Sequence, residues 1–362
     1  MIGNNACGAR SLVYGKTVDH VLEVRALLAD GTEVTFGPLD ADGLATKLRA
    51  PGGEGQIYRT VKALVEAHAD EIRARYPRIM RRVGGYNLDA FIGERPWNLA
   101  KLIVGSEGTL GVIPRLTLRL HPLPVHVHTL RVFFEGLGAA ADAAYALMAS
   151  GLPAARLELL DELGLGAINR YLQRDYPEKP ALFVEFHSST REALEAESRM
   201  ALELVREAGA IAVDAARTSE ERTAQWEARH QLYWALVAQY PGRSFMITDT
   251  AVPISRMPEL VRHSQRLLRE MGLGGSIVGH VGDGNFHTLV ATGEHDYPKA
   301  EAFAARLVEK ALELGGTCTG EHGVGLRKKK YLAREHGAAL EWMRQLKRLF
   351  DPQGLLNPGK VV

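Results

Sequence analysis

Residues 279–287, GHVGDGNFH, leave the backbone little choice. An apolar run, SIVGH, leads into Gly-Asp-Gly-Asn, and a second run, FHTLVA, follows at once. Turn-forming residues between two apolar runs specify an antiparallel hairpin, and the glycines at 282 and 284 permit the bend. His280 ends one strand and His287 begins the other. Further on, Gly320-Glu321-His322-Gly323 places a carboxylate beside a third histidine, again between glycines. Neutral imidazole and carboxylate oxygen are ligands for divalent ions, and two histidines with one glutamate form a common set for Zn, Mn or Fe(II). His280, His287 and Glu321 are therefore the candidate metal ligands. Asp283 or Asn285 is suited to holding the turn through its own side chain. His322 titrates near neutrality and suits removal of a proton from a substrate hydroxyl, which a bound metal makes more acidic.

The pattern around this hairpin predicts its surroundings. Residues 127–134, 155–160, 181–187, 211–214, 245–252, 276–280 and 286–291 read as strands, and 138–150, 191–208, 219–239, 254–271 and 299–314 as helices. That mixture predicts an α+β domain, with helices on one face of an antiparallel sheet. The stiff segment HPLP at 121–124 sets a boundary before it. Upstream, residues 21–36 read as a hairpin turning at Asp30-Gly31, and 57–75 as a single helix. Two strand-like runs within 99–120 flank GSEGTLG at 105–111, where three glycines allow a phosphate or flat ring to approach the backbone. The loop GNNACG at 3–8 has the same small-residue character. Residues 340–349 read as a final helix, stopped by Asp351-Pro352 and followed by the tail LLNPGK. The division expected is 1–124, 125–339 and 340–362.

A chain of 362 residues is long enough for about two domains. With 44 basic and 43 acidic residues, charge gives no reason to expect nucleic acid as a partner. Two cysteines, Cys7 and Cys318, make no disulfide framework and too few thiolates for an iron–sulfur cluster. They fit a reducing compartment, so the placement expected is cytoplasmic, with a peripheral position at the inner face of the membrane as its variant. No apolar run is long enough to span a bilayer, and the first twenty residues lack the apolar core of a signal peptide. Arg229, on a Trp-rich helical stretch, suits a carboxylate partner. The run RKKK at 327–330 reads as a solvated basic face.

Five motifs, GNNACGARSLVYGKTVDHV, VGSEGTLGVI, GHVGDGNFH, GEHGVG and DPQGLLNPGK, occur in that order across essentially the whole chain. Together they resemble the flavin-linked D-2-hydroxyacid dehydrogenases of the vanillyl-alcohol oxidase type, the group containing D-lactate and D-2-hydroxyglutarate dehydrogenases and the glycolate oxidase FAD subunit. The resemblance implies a partial FAD-binding domain, its first half missing, and a ferredoxin-like α+β cap domain. It implies that Asn4, Asn5, Gly8, Tyr14, Gly105, Ser106, Gly108, Thr109 and Gly111 line FAD, with Asn357 near the flavin ring. It assigns His280, His287 and Glu321 to a metal (zinc, with manganese or iron as alternatives), His322 to the base, and Arg229 and Asn285 to substrate. Hydride then passes from the substrate α-carbon to flavin N5 while His322 takes the hydroxyl proton. The substrate implied is a small D-2-hydroxyacid such as D-lactate, D-2-hydroxyglutarate or glycolate. The electron acceptor is open among a quinone, a flavoprotein, a cytochrome and an iron–sulfur module, and a homodimer is compatible. The family's usual stretch before the first motif is absent, so the chain is expected to be N-terminally truncated. Two other readings compete: a metal-binding module or subunit that binds no FAD by itself, and a metal-dependent hydrolase. The hydrolase leaves GSEGTLG and NPGK without a role.

Overall fold

The computed structural model describes residues 1–93, 96–216, 218–293 and 295–362. Its strands form two sheets. Strands β1 (Val21–Leu27), β2 (Glu33–Phe36) and β3 (Val112–Leu118) pair antiparallel in the order β2-β1-β3. The β1–β2 turn is closed by Asp30, whose carboxylate accepts from the Thr32 amide at 2.9 Å.

The second sheet has eight strands: β4 (His126–Phe134), β5 (Ala154–Leu160), β6 (Ala181–Ser188), β7 (Ala210–Ala216), β8 (Ser244–Ile247), β9 (Thr250–Ala251), β10 (Gly275–Gly279) and β11 (Asn285–Thr292). Their order is β7-β4-β6-β5-β10-β11-β8, with β9 also pairing with β11. Every described pairing is antiparallel. In the hairpin, Val278 faces His287.

Side-chain alternation gives this sheet two different faces. Leu130, Val132, Leu157, Leu159, Val184, Phe186 and Ile277 bury against four long helices, Leu137–Ala149, Arg191–Glu207, Met257–Glu270 and Tyr297–Glu313. The opposite face carries Phe133, Leu160, Phe183, Val278 and Leu289 under the shorter helices Glu162–Leu172, Ser219–His230 and Leu232–Gln239. Helices therefore cover both faces, which corrects the one-face expectation. The second face is only partly apolar. Alternation also places Arg156, Glu158, Glu185, His280 and His287 there, so it can be roofed by helices only in part.

The helix Ala339–Phe350 returns to the first sheet. Leu340, Trp342, Met343, Leu346 and Phe350 share a core with Phe36, Tyr58, Val61, Leu64 and Leu102. Lys347 fastens it by donating to the Thr109 carbonyl at 2.8 Å.

Several local expectations change. The helix expected at 57–75 is two, Gly52–Ala67 and Ala69–Arg75, interrupted at His68, whose ring stacks on Trp342 at 4.2 Å. The apolar run before Gly105 is a short buried helix, Ala100–Ile103, where a strand was expected. The helix at 219–239 breaks at Gln231. The strand at 245–252 divides into β8 and β9 around Thr248 and Asp249. The helices Ser11–Tyr14, Thr17–His20, Ala41–Arg49, Glu162–Leu172 and Lys329–His336 were not expected. Among the described residues no helix is long and apolar enough to cross a membrane.

Candidate metal centre and active site

The hairpin turn is a short 3-10 segment, Val281–Asp283, followed by Gly284 in the left-handed region. A side chain at Gly284 would meet the Val252 carbonyl at 2.0 Å, so both the backbone angle and the space require glycine. The bend brings the rings of His280 and His287 to 5.6 Å at nearly a right angle. The loop before the helix Lys329–His336 lays Glu321 against both.

Each of these three residues has one ligand atom occupied elsewhere and one left over. His280 Nδ1 meets Glu158 Oε1 at 2.5 Å, leaving Nε2. His287 Nδ1 meets the Thr248 carbonyl at 2.9 Å, leaving its Nε2. Glu321 Oε2 accepts from Arg81 at 2.7 Å, leaving Oε1. The remaining atoms converge, with Glu321 Oε1 3.0 Å from His287 Nε2 and 3.4 Å from His280 Nε2. Ligands about 2.0–2.2 Å from a tetrahedral ion are roughly 3.4 Å apart, so this spacing fits a small divalent cation. All three lie in a group of potential ligand atoms within 4.8 Å of one another. The outer partners fix ring orientation, as second-layer hydrogen bonds do in metal sites.

His322 borders this group. Its ring stacks on His287 with centroids 4.9 Å apart, and Nε2 is 3.6 Å from Glu321 Oε1. Its side chain is 45% exposed, against 8% for His287, so it is the imidazole of the cluster open to a small molecule. Burial lowers its pKa, which keeps a lone pair free near neutrality. Its backbone is held from both sides: the amide donates to Asp249 at 2.9 Å, and the carbonyl accepts from Asn4 at 3.0 Å.

Charges that the motifs do not contain organise the surroundings. Glu158 is buried between His280 and Arg229, accepting from Arg229 Nε at 2.9 Å. Burial alone would raise its pKa, but His280 and Arg229 prevail and hold it at about 2. Burial likewise disfavours charge on His280, and Glu158 more than offsets it, lifting the imidazole to about 9. Asp249 is fully buried and accepts from Thr319, His322, Glu321, Asn285 and Lys328. Lys328, 3.1 Å from Asp249, is thus part of the site, which corrects the reading of RKKK as a solvated run. Arg81, fully buried, donates to Glu321, Asp283, Ser11 and the Gly8 carbonyl. Glu158, Asp249 and Arg81 escaped sequence reasoning. For Glu158 and Asp249 the available signal was an acidic residue inside a segment that reads as a strand, LEL at 157–159 and ITDTA at 247–251; Arg81 left none.

The structure brings His280, His287, Glu321 and His322 together. Arg229, read from the sequence as a partner for the substrate's carboxylate, is paired in the structure with the carboxylate of Glu158 at 2.9 Å. Asn285 is wholly buried, its amide nitrogen donating to Asp249 at 3.1 Å and to the Thr250 carbonyl at 2.8 Å.

The residues expected along FAD form a separate patch next to this cluster. The loop of Asn4, Asn5 and Gly8 packs on the loop of Gly105, Ser106, Gly108, Thr109 and Gly111, where a side chain at Gly105 would meet Asn5 Cβ at 3.2 Å. Asn357 donates to the Glu107 carbonyl at 2.6 Å, closing the tail over this loop. Tyr14 lies apart, its ring 5.1 Å from His121. Asn5 Nδ2 and Ser106 Oγ are buried without a hydrogen-bond partner among the described residues, which fits loops built to receive a polar cofactor.

Comparison with known proteins gives this arrangement a lineage. The chain is 34% identical to the probable mitochondrial D-lactate dehydrogenase of Danio rerio, covering 100% of this chain and 64% of that one. It is 30% identical to the glycolate oxidase subunit GlcD of Bacillus subtilis, covering 99% of this chain and 67% of that one. The chain thus spans about two thirds of the length of these curated relatives. Among solved structures, 4-ethylphenol oxidase from Gulosibacter chungangensis superposes with a TM-score of 0.61 at 14% identity, covering 96% of this chain and 66% of that one. That likeness concerns the fold. Residues 123–361 match the family described as FAD linked oxidases, C-terminal domain, and the chain belongs to that family.

Proposed function

We propose that this chain is the substrate-oxidising part of an FAD-dependent enzyme that converts a D-2-hydroxyacid to the 2-oxoacid. The observation carrying this reading is the convergence of His280 Nε2, His287 Nε2 and Glu321 Oε1 beside the exposed imidazole of His322. In this reading residues 125–339 supply the metal and substrate side, and residues 1–124 with 340–362 supply the flavin side. A bound flavin supplies a two-electron acceptor, and a divalent ion, zinc in the first instance, supplies a Lewis acid. The chain's residues supply the rest. His280, His287 and Glu321 hold the ion, Glu158 and Thr248 orient the two imidazoles, and His322 takes the hydroxyl proton. Asn4 and Asp249 keep His322 in place through its backbone. Arg229 carries its charge next to Glu158 and orients the acid. Asn285 acts from beneath the site through Asp249. The two glycine-bearing loops with Asn357 receive the flavin. A small 2-hydroxyacid is the substrate class; the relatives' names supply D-lactate and glycolate as the first compounds to try.

The test is to purify the protein with FAD and zinc supplied and follow the oxidised-flavin band at about 450 nm under anaerobic conditions. Bleaching by D-lactate, glycolate or D-2-hydroxyglutarate, but not by L-lactate, is the outcome expected. A protein that binds zinc but stays colourless with FAD present fits the alternative, a metal-binding module without redox activity.

A further inference from the structure

A cavity of about 250 Å³ borders the candidate metal centre on the side of Asp249 and contains none of its ligands. The chain running from β8 to β9 forms one wall, with Met246, Thr248 and Asp249. The helix Tyr297–Glu313 forms a second, presenting Glu301, Ala304 and Val308 from successive turns of one face. The third is the entry to the helix Lys329–His336, with Arg327, Lys328 and Lys330.

This lining is divided between apolar and cationic groups. Met246 and Val308 are buried and, with Ala304, make an apolar floor. Arg327 and Lys330 are exposed at the rim, and neither is ion-paired among the described residues. Arg327 lies 6.0 Å from the centre of the Tyr297 ring, and Lys330 5.1 Å from that of Tyr331. Lys328, between them in sequence, is 3.1 Å from Asp249 Oδ2. The three cations meet two carboxylates, Asp249 and Glu301, so one positive charge is in excess. An apolar floor beneath unpaired cations suits a molecule with one negative charge and an apolar tail. The volume is a little under the roughly 300 Å³ at which pockets for drug-sized ligands begin, so the tail has few carbons.

Lys328 and Asp249 tie the cavity to the candidate site. Asp249 accepts from the amides of Glu321 at 3.2 Å and His322 at 2.9 Å, and the carbonyl of the adjacent Thr248 lies 2.9 Å from His287 Nδ1. A carboxylate bound at Arg327 and Lys330 is a second anion in the cavity that Lys328 also lines, and it competes with Asp249 for that cation. The competition falls on the carboxylate that holds the backbone of Glu321 and His322.

We propose that the cavity between Met246, Ala304, Val308 and Arg327 binds a small carboxylate with an apolar tail, and that its occupancy acts on His322 through Lys328 and Asp249. The cavity is then an effector site, separate from the place where substrate is oxidised. The effect on turnover rests on the hydroxyacid reading above; the binding and its effect on His322 do not.

The experiment titrates hexanoate, with hexanol as the neutral control, into the protein purified with FAD and zinc supplied, and follows binding by calorimetry. Hexanoate is expected to bind once per chain with a Kd of about 1 mM, the order a ligand of so few atoms reaches. Hexanol should bind at least about tenfold more weakly, for want of the charge. Ala304→Phe fills the cavity and should abolish hexanoate binding. Arg327→Gln should weaken it about threefold and, at an exposed position, guards against misfolding of the first variant. Saturating hexanoate should shift the NMR resonance of the His322 ring and lower kcat for D-lactate about fivefold at unchanged KM, the lower end of coupling between sites. Both effects should be absent in Ala304→Phe. No binding of hexanoate, binding equal in the parent and both variants, or inhibition that raises KM alone and so marks the substrate site, would overturn the proposal. Binding in the cavity that leaves the His322 resonance in place overturns its second half. A protein that binds hexanoate there and shifts His322, but oxidises no hydroxyacid, supports the proposal and overturns the hydroxyacid reading.

Discussion

Arg81 Nη1 lies 2.7 Å from Glu321 Oε2 and joins the loop before Gly84 to a candidate metal ligand of the large sheet. The same guanidinium reaches Asp283 Oδ2 at 2.7 Å and Ser11 Oγ at 2.6 Å, and none of it is exposed. Two nearly buried carboxylates thus depend on one cation. Arg81→Met is expected to cost about 3–5 kcal/mol, because it leaves buried Asp283 without its cation and Glu321 Oε2 without its partner. Arg81→Lys keeps the charge but cannot serve four acceptors in a planar fork, so it should recover less than half of that loss. Denaturant unfolding of the zinc-loaded variants measures both. A methionine variant within about 1 kcal/mol of the parent would show that the two carboxylates do not need this cation.

Glu158 orients a candidate metal ligand, His280, through its Nδ1. Glu158→Gln retains size but replaces the carboxylate at His280 Nδ1 by a neutral amide. Zinc affinity is expected to fall about 10–100-fold, the usual effect of removing such a partner. Competition with a chelator reads this directly, and unchanged circular dichroism shows that the fold survives. Affinity within about threefold of the parent would mean that His280 is oriented by something else.

The parts legible in the sequence and the parts that were not separate on physical grounds. The hairpin around GDGN was legible because a left-handed Gly284 and two apolar strands admit few backbones. The strands of the large sheet were legible for the same local reason. The break of 219–239 at Gln231 was not, since neither a proline nor a glycine marks it. The candidate ligand trio could be assembled because histidines and a glutamate between glycines are chemically distinctive. Glu158, Asp249 and Arg81 could not. Each reaches the site through tertiary pairing, and Arg81 touches Glu321 across 240 positions of sequence. Lys328 was misread for a related reason. A basic run looks solvated until a buried carboxylate such as Asp249 folds against one member of it.

Glu185 gives a pH-dependent signature away from the candidate metal ligands. Burial pushes its pKa up, but His187, Arg156 and Arg10 prevail, and the net displacement is downward. A carboxyl with a lower pKa folded than unfolded binds fewer protons in the folded state. Its stabilisation is therefore complete above the ordinary glutamate value of 4.5 and is lost as pH falls below it. Glu185→Gln should be about 2 kcal/mol less stable than the parent at pH 7, with Arg156 and Trp226 losing a charged partner. That deficit should narrow between pH 5 and pH 3.5, roughly the span in which Glu185 protonates when unfolded. Urea unfolding of both proteins across this range measures it, and a deficit constant with pH would assign the loss to shape instead of charge.

Gly323 sits next to His322 with a φ of +89°, and a Cβ there would lie 2.7 Å from Glu107 Oε1. Glu107 is committed at that spot, accepting from the Val324 amide at 2.6 Å and the Gly325 amide at 2.8 Å. Alanine at 323 must therefore bear a left-handed backbone, at about 1–2 kcal/mol, and also displace a carboxylate that satisfies two backbone donors, each at about 1 kcal/mol. Gly325 offers the internal control. Its φ is +53°, also left-handed, but a Cβ there meets nothing within 4 Å. Gly325→Ala should cost only the backbone part, about 1–2 kcal/mol. Gly323→Ala should cost about 3–4 kcal/mol and should lower kcat as well, since the displaced loop carries the exposed imidazole of His322. Denaturation midpoints and steady-state rates of the two alanine variants separate the contributions. Equal losses in both would mean that Glu107 yields freely and does not fix the loop on which His322 depends.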